Sequence, residues 1–494
     1  MSPLLAAGII LGYFLLLIGI SLRTGRDDSN AAFFTARRSS PWPVVAFGMV
    51  GASLSGVTFI SVPGWVASNQ FSYLQFVAGN FLGYLVIAHV LLPLYYRLNL
   101  TSIYGYLETR FGSRSHRTGA GFFLLSRLIG SAFRLYLVAL VLHLAIFSAL
   151  GLPFWISVLG TVLLIWVYTF RGGIRTIIWT DTVQTAALLL AVVTTLWTMK
   201  AQLGWSIGEL VDHVRTSGYS QWLFLDDWRD PRFLPKQVLA GMFITIAMAG
   251  LDQDMMQKNL TCRSLAAAQR NMFCFSVVFA GASLLFLCLG AVLYHFAAQI
   301  GLDPAVTGDR LYPTLALGGH LGTVAAVLFV VGLVAAAYSS ADSALTALTT
   351  SFCVDFLRMD RTAGTSDKRT RQLVHLGVTL ALALLIIAFG ALDNASIIQK
   401  VFEVAGYTYG PLLGLYAFGL GTRRLVRDRL VPVVCLLSPV LTWMFKAHSA
   451  ALLGGYVPGF ELLLINAAFT CAGLWLVSRA AEPASSPAGV SAGG

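Results

Sequence analysis

Stretches of about 20 apolar residues recur along almost the whole chain, and nothing constrains its fold more. A segment of that length in hydrocarbon has to satisfy its own backbone polar groups, which a helix does. Such stretches fall at 3–22, 43–68, 71–96, 118–148, 151–170, 174–199, 237–257, 271–298, 321–353, 373–392, 396–420, 428–446 and 460–479. The predicted fold is an all-α integral membrane protein with about 13 transmembrane helices. With only 11% charged residues against 57% apolar ones, the chain lies far from a soluble domain, where about a quarter of residues are charged. The first stretch lacks a basic leader and a small-residue cleavage site, so it reads as a span and not as a removed signal peptide.

Basic residues set the expected orientation. With the N-terminus outside, 23 of the 33 Lys and Arg residues fall on the cytoplasmic side, 8 fall outside and 2 lie within a span. This asymmetry predicts a multi-pass protein of the cell's inner (plasma) membrane, with its C-terminus in the cytoplasm. The net charge of +11 is then a property of topology, and no nucleic-acid partner is needed to account for it. The partner these features point to is the lipid bilayer, and the protein is expected to be monomeric. Six cysteines without CxxC spacing and eight scattered histidines point to neither a disulfide framework nor a zinc site. The tail 481–494, small, polar and proline-containing, reads as a disordered cytoplasmic end. The long outer loop at 200–236, with SGYSQWLFLDDWRDPRF, reads first as an interfacial segment and second as a partial cover over the outer mouth.

Ionisable and polar residues within spans are costly, so each is a candidate for function. In VAAAYSSADSALTALTTS, residues 334–351, Ser339, Asp342, Ser343, Thr346 and Thr350 share one helix face, with Ser340 beside them. Oxygen ligands of this kind suit a hard monovalent cation. Back-bonding and helix packing through small residues are the alternative. GASLSGVTFISVPGW, residues 51–65, makes a poor continuous helix, and a break there would free backbone carbonyls toward a cavity. Asp181, in GGIRTIIWTDTVQ, lies about 9 Å deeper than Arg175 at the helical rise; it can bind a cation or pair with a polar neighbour. Arg127 and Arg134 share a face of the fourth span, and a guanidinium fork suits a carboxylate; a buried ion pair with Asp181, Asp342 or Glu403 is the other possibility. Asp252, Asp254, Lys258 and Arg263, after Gly250, read as a solvated inner face.

Taken in order, GASLSG, GGIRTIIWTDTVQ, DQDMMQKNLTCRS, AAAYSSADS and AGYTYGPLLGLYAFG make the chain resemble the sodium:solute symporter family over about 1–480. The resemblance implies a single transporter domain of the LeuT type. A leading helix at 3–22 would precede two inverted five-helix repeats, at 43–199 and 237–420, and two trailing helices at 428–479 would follow. It also implies sodium as the cofactor and only metal ion, bound by the carbonyls of Gly51, Leu54 and Ala336 and the hydroxyls of Ser339 and Ser340. The sialic acid transporter branch suggests a second sodium site at Asp181, Ser339, Asp342 and Ser343, although that branch has serine where Asp342 stands. The same branch suggests Ser53, Ser55, Thr58, Phe71, Gln75 and Arg127 as substrate contacts, with Arg134 as the second arginine in reach. The sugar-transporting branch has amide side chains at the positions of Ser53 and Thr58, so an anionic solute is expected: a sialic acid, another acidic sugar or a small carboxylate. The implied function is sodium-coupled symport by alternating access, not catalysis. A neutral sugar or amino acid, or proton coupling through Asp181 or Asp342, is the nearer alternative, and a membrane sensor is more distant. No clustered histidines, metal motif or paired nucleophile and base favour an enzyme.

Overall fold

The computed structural model describes residues 3–143, 147–148, 151–170, 172–359, 366–390, 397–452, 454, 458–459 and 461–480. The expected tail at 481–494 and Arg171 lie outside them. Helix occupies each of the long apolar stretches, and a two-stranded antiparallel pairing of Leu425–Val426 with Ser478–Arg479 joins the chain's last turns. Among the described residues, seven helices are long and apolar enough to cross a bilayer, and nine are when each of two bent helix pairs counts as one. Gly8–Thr24, Phe154–Thr169 and Leu462–Leu476 are apolar but shorter.

Those two bent pairs organise the centre. The first runs from Trp42 to Asn69 and turns by 59°. Its first half ends at Ser53, Leu54 leaves helical geometry at φ −82 and ψ 78, and the Ser55 hydroxyl caps the second half by accepting from Thr58 N–H at 3.4 Å. Serine suits this position because its short side chain replaces the missing backbone acceptor. The last carbonyls of the first half consequently lose their intrahelical donors. The second pair spans Leu234–Gly250 and Gln253–Leu260 and turns by 67°. There the Asp252 carboxylate caps the new half-helix, accepting from Asp254 N–H at 2.9 Å.

Glycine lets these elements touch. A Cβ on Gly51 would stand 2.3 Å from Thr185 Oγ1, which accepts the Gly51 N–H at 2.9 Å, so the half-helix 42–53 lies flush against helix Ile174–Gln202. Gly79 and Gly241 meet similarly: a Cβ on either would fall 2.2 Å from a backbone carbonyl of the opposing helix. Against the first break lies helix Gly322–Ser351, every residue of which from Leu333 to Ser351 is buried. The hydroxyl-rich row thus faces protein on all sides, whereas the outer faces of helices 174–202 and 366–390 carry exposed Leu190, Trp197, Leu373 and Leu384, as a lipid-facing surface does.

Candidate functional site: a cavity between two bent helices

A cavity of about 180 Å³ opens beside the first break. Ser53, Ser55 and Thr58 line it from the break, Trp65 from the second half-helix, Tyr73 from helix Tyr73–Val86, and Arg127 and Arg134 from helix Ser113–Leu142. Five of the seven residues predicted to meet substrate therefore do line one cavity. Phe71 and Gln75 do not. Phe71 donates its N–H to Gln221 O at 3.0 Å, and the Gln75 side chain bonds Arg232 O at 2.7 Å and Phe224 N–H at 3.2 Å. Those contacts fasten segment 217–234 to the start of helix Tyr73–Val86 beside the cavity, as a partial cover would be, while its Trp222, Leu225 and Trp228 stay exposed, as an interfacial segment would have them.

The two arginines differ. Arg127 is 6% exposed and is paired with Asp254, with Asp252 Oδ2 a further 3.6 Å from its Nη1. Arg134 has no ion pair or hydrogen bond among the described residues, although it lines the same cavity. The guanidinium that sequence comparison favoured is thus largely committed to protein carboxylates, and the other is the one with donors to offer. Glu403 pairs with Lys446 at 2.6 Å rather than with either arginine.

Asp252, Asp254 and Lys258 overturn the expected solvated inner face. All three are buried, while Arg263 alone of that group is exposed. The bend in 234–260 turns the polar run back into the protein, and Arg127, Asp181 and Tyr409 supply the partners: Asp252 accepts from Tyr409, and Lys258 Nζ lies 2.7 Å from Asp181 Oδ2. Two signals in the sequence could have located this cluster. Asp254 and Lys258 are spaced i, i+4 on one helix face, and Arg127 within a span had no acidic partner nearby.

At the ninth span the Ser340 hydroxyl donates to Ala52 O at 3.2 Å, joining the hydroxyl row directly to the break. Ser339, Ser340 and Ala336 are buried against it, with Gly51 and Leu54 on the facing half-helix. The second predicted set is brought together only in part. Ser339 donates to Asp181 Oδ1 at 2.6 Å, but the other oxygen of Asp181 faces Lys258. Asp342 accepts from Tyr168 at 2.8 Å, and neither Arg127 nor Arg134 neutralises it. Among the described residues Asp342 Oδ1 and Thr346 Oγ1 have no hydrogen-bond partner, and Ser343 Oγ lies near the Asp181 carboxylate without a well-formed bond. Lower in the row, Thr349 back-bonds to Leu345 O at 2.7 Å, Ser351 donates to Asp355 at 2.6 Å and Thr350 accepts from Gln257 at 3.0 Å. These three hydroxyls are engaged by protein partners, as the packing alternative for the row expects.

Among the described residues no three His, Cys, Asp or Glu side chains are grouped to hold a metal ion, and the six cysteines are free. Oxygen ligands without a multi-carboxylate cage fit a monovalent ion better than a divalent one. The model of the sodium:solute symporter family matches residues 33–427. The chain belongs to that family. Within it, the chain is 27% identical to a sodium-dependent multivitamin transporter of Oryctolagus cuniculus over 80% of its own length and 62% of that protein's. It is 26% identical to the sodium/sialic acid symporter NanT of Aliivibrio fischeri, over 85% of this chain and 84% of that one. The chain thus spans less than two thirds of the multivitamin transporter. In three dimensions it resembles a sodium-coupled sialic acid symporter solved in a substrate-bound, outward-open state, with a TM-score of 0.80 at 19% identity over 96% of this chain and 99% of the other. The two share a fold, and the family's members are transporters.

Proposed function

We propose that the protein is a sodium-coupled secondary active symporter that imports a small anionic organic solute, a sialic acid, another acidic sugar or a carboxylate. The observation that carries this reading is the meeting of the broken helix 42–69 with the hydroxyl row through Ser340 and Ala52, beside a cavity that presents the unpaired Arg134. The sodium ion sits at the break, held by the carbonyls of Gly51, Leu54 and Ala336 and the hydroxyls of Ser339 and Ser340. Several weak oxygen ligands replace its water and still allow release. A helix terminus with free carbonyls serves a cation as such termini serve ions in other broken-helix transporters. Substrate occupies the cavity with its carboxylate on Arg134, while Ser53, Ser55 and Thr58 offer hydroxyls to its neutral part. The kinship to a sialic acid symporter and the charge of Arg134 both favour an acid over a neutral sugar.

The architecture proposed with this function has about 13 spans, one leading helix, inverted repeats at 43–199 and 237–420 and trailing helices at 428–479, crossing the plasma membrane with the N-terminus outside. The two bent pairs would then occupy equivalent places in the two repeats. Inward transfer of one cation charge across 100 mV contributes about 2.3 kcal/mol, and a monovalent anionic substrate cancels that increment, leaving the sodium gradient to drive uptake.

Proteoliposomes with an inward sodium gradient test the reading against a panel of labelled sialic acids, sugar acids, monocarboxylates, neutral sugars and amino acids. Sodium-dependent accumulation of an acid is the expected result. Uptake driven by a proton gradient and indifferent to sodium would overturn the coupling assignment, and accumulation of neutral solutes alone would overturn the substrate class.

A further inference from the structure

At the centre of the molecule a positive charge already occupies ground that an ion could take. Lys258 stands on the half-helix Gln253–Leu260 beyond the second bend, with its side chain 1% exposed. Its Nζ lies 2.7 Å from Asp181 Oδ2 and 4.0 Å from Asp254 Oδ1. The remaining oxygen of Asp181 takes the Ser339 hydroxyl at 2.6 Å. Asp254 is at the same time the main partner of Arg127, so Asp181 is the nearest anion that Lys258 has.

We propose that the Lys258 ammonium is a tethered cation that takes the place of a second sodium ion at Asp181, so that the protein binds one sodium, at the break in 42–69. The inference rests on the sodium coupling proposed above and deepens it by giving the ion count. An ammonium and a sodium ion carry the same charge and are both satisfied by a carboxylate and hydroxyl oxygens. A free cation beside Asp181 would stand within a few ångströms of Nζ, and like charges repel strongly where the dielectric is low. Lys258 cannot simply give way, because a buried ammonium without its carboxylate is heavily penalised. Asp342, the other carboxylate of the row, takes the Tyr168 hydroxyl instead. A charge fixed to the protein crosses no gradient of its own, so a cycle built this way moves one sodium per substrate.

Sodium binding to the purified full-length protein, followed with radioactive sodium and by the sodium dependence of its melting, reads this directly and needs no substrate. Wild type is expected to bind about one ion per chain with a Hill coefficient of about 1. Lys258→Gln vacates the position and leaves Asp181 unpaired, and should raise the stoichiometry to about two ions per chain; the Hill coefficient rises above 1 only if the two ions bind cooperatively. Lys258→Arg keeps a charge there and should stay at about one ion, as should the double variant Lys258→Gln with Asp181→Asn, which removes the pair together and avoids an isolated buried charge. Two ions bound by wild type would overturn the inference while leaving sodium coupling intact. One ion bound by a Lys258→Gln protein that still melts cooperatively would also overturn it. Failure of wild type to bind any sodium would sink the coupling reading first and this inference with it. Should Lys258→Gln not fold, the wild-type count still decides, one ion supporting the inference and two overturning it.

Discussion

The Ser340 hydroxyl donates to the Ala52 carbonyl at 3.2 Å across 288 residues of sequence. This side-chain bond therefore links the hydroxyl-rich helix to the break in helix 42–69, where carbonyls have lost their own donors. A sodium ion at this junction would compete for the same oxygens. Ser340→Ala and Ser339→Ala should each remove one ligand, and a net loss of about 0.5–1.5 kcal/mol per oxygen contact corresponds to a roughly 2- to 10-fold rise in the sodium concentration for half-maximal uptake. The sodium titration of uptake or melting checks this, and an unchanged midpoint in both variants would place the ion elsewhere.

Arg127 and Arg134 should fail in different ways. Arg134→Gln removes the unpaired guanidinium of the cavity, and the loss of a charged hydrogen-bonding partner, about 1.5–3 kcal/mol, predicts about 10- to 150-fold weaker binding of an acidic substrate with little change in melting temperature. Arg127→Gln leaves Asp254 and Asp252 buried without their cation, which costs about 3–5 kcal/mol of stability. Substrate titration alongside thermal melting separates the two effects. Equal losses of affinity with equal stability would contradict the distinction drawn from their partners.

Much of this could be read from the sequence because the bilayer restricts the answer so severely. Hydropathy located the helices, and Gly, Ser and Pro in GASLSGVTFISVPGW marked the first break where Leu54 and Ser55 leave the helix. The hydroxyl row fell on one face by periodicity alone. Pairings between distant elements were not accessible. Lys258 and Asp181 are separated by 77 positions, and a polar run such as DQDMMQK has the same composition whether a bend folds it into the protein or leaves it in water. The roles of the two arginines depended on which carboxylates that bend delivered. The bonds of Gln75 were out of reach for a related reason: its partners, Arg232 and Phe224, are loop backbone that carries no recognisable pattern.

Gly79 and Gly241 should tolerate no side chain. A Cβ on Gly79 would lie 2.2 Å from Val238 O, and one on Gly241 would lie 2.2 Å from Phe76 O. Backbone on both sides cannot rotate away, so the helices Tyr73–Val86 and Leu234–Thr245 would have to separate. Overpacking of this kind costs about 1–3 kcal/mol or more. Gly79→Ala and Gly241→Ala should each lower the melting temperature of the purified protein, whereas Gly121→Ala, with nothing within 4 Å of the added atom in the interior of helix Ser113–Leu142, should leave it unchanged or raise it slightly. Normal melting of both contact variants would refute the close approach.

Acidification should loosen the outer cover. Asp230 holds Arg232 at 2.9 Å, and Arg232 in turn reaches Gln70 Oε1 at 3.1 Å, so the pair ties the loop to the rim of the cavity. The hydrogen bond from the Arg232 guanidinium holds the Asp230 carboxyl below its ordinary value. A carboxyl lowered on folding stabilises the folded loop above the usual aspartate value of about 3.9 and loses that contribution as pH falls through its own lower value. Both side chains are partly exposed, which limits the effect to about 1 kcal/mol or less. Amide hydrogen exchange across 217–234 is therefore expected to rise by several fold in Asp230→Asn at neutral pH, and the difference from wild type should vanish in acid, where the protonated Asp230 is as uncharged as the asparagine that replaces it. An exchange rate equal to wild type at neutral pH would show that the cover is held by its backbone bonds, Phe71 to Gln221 and Gln75 to Arg232, without help from this charge pair.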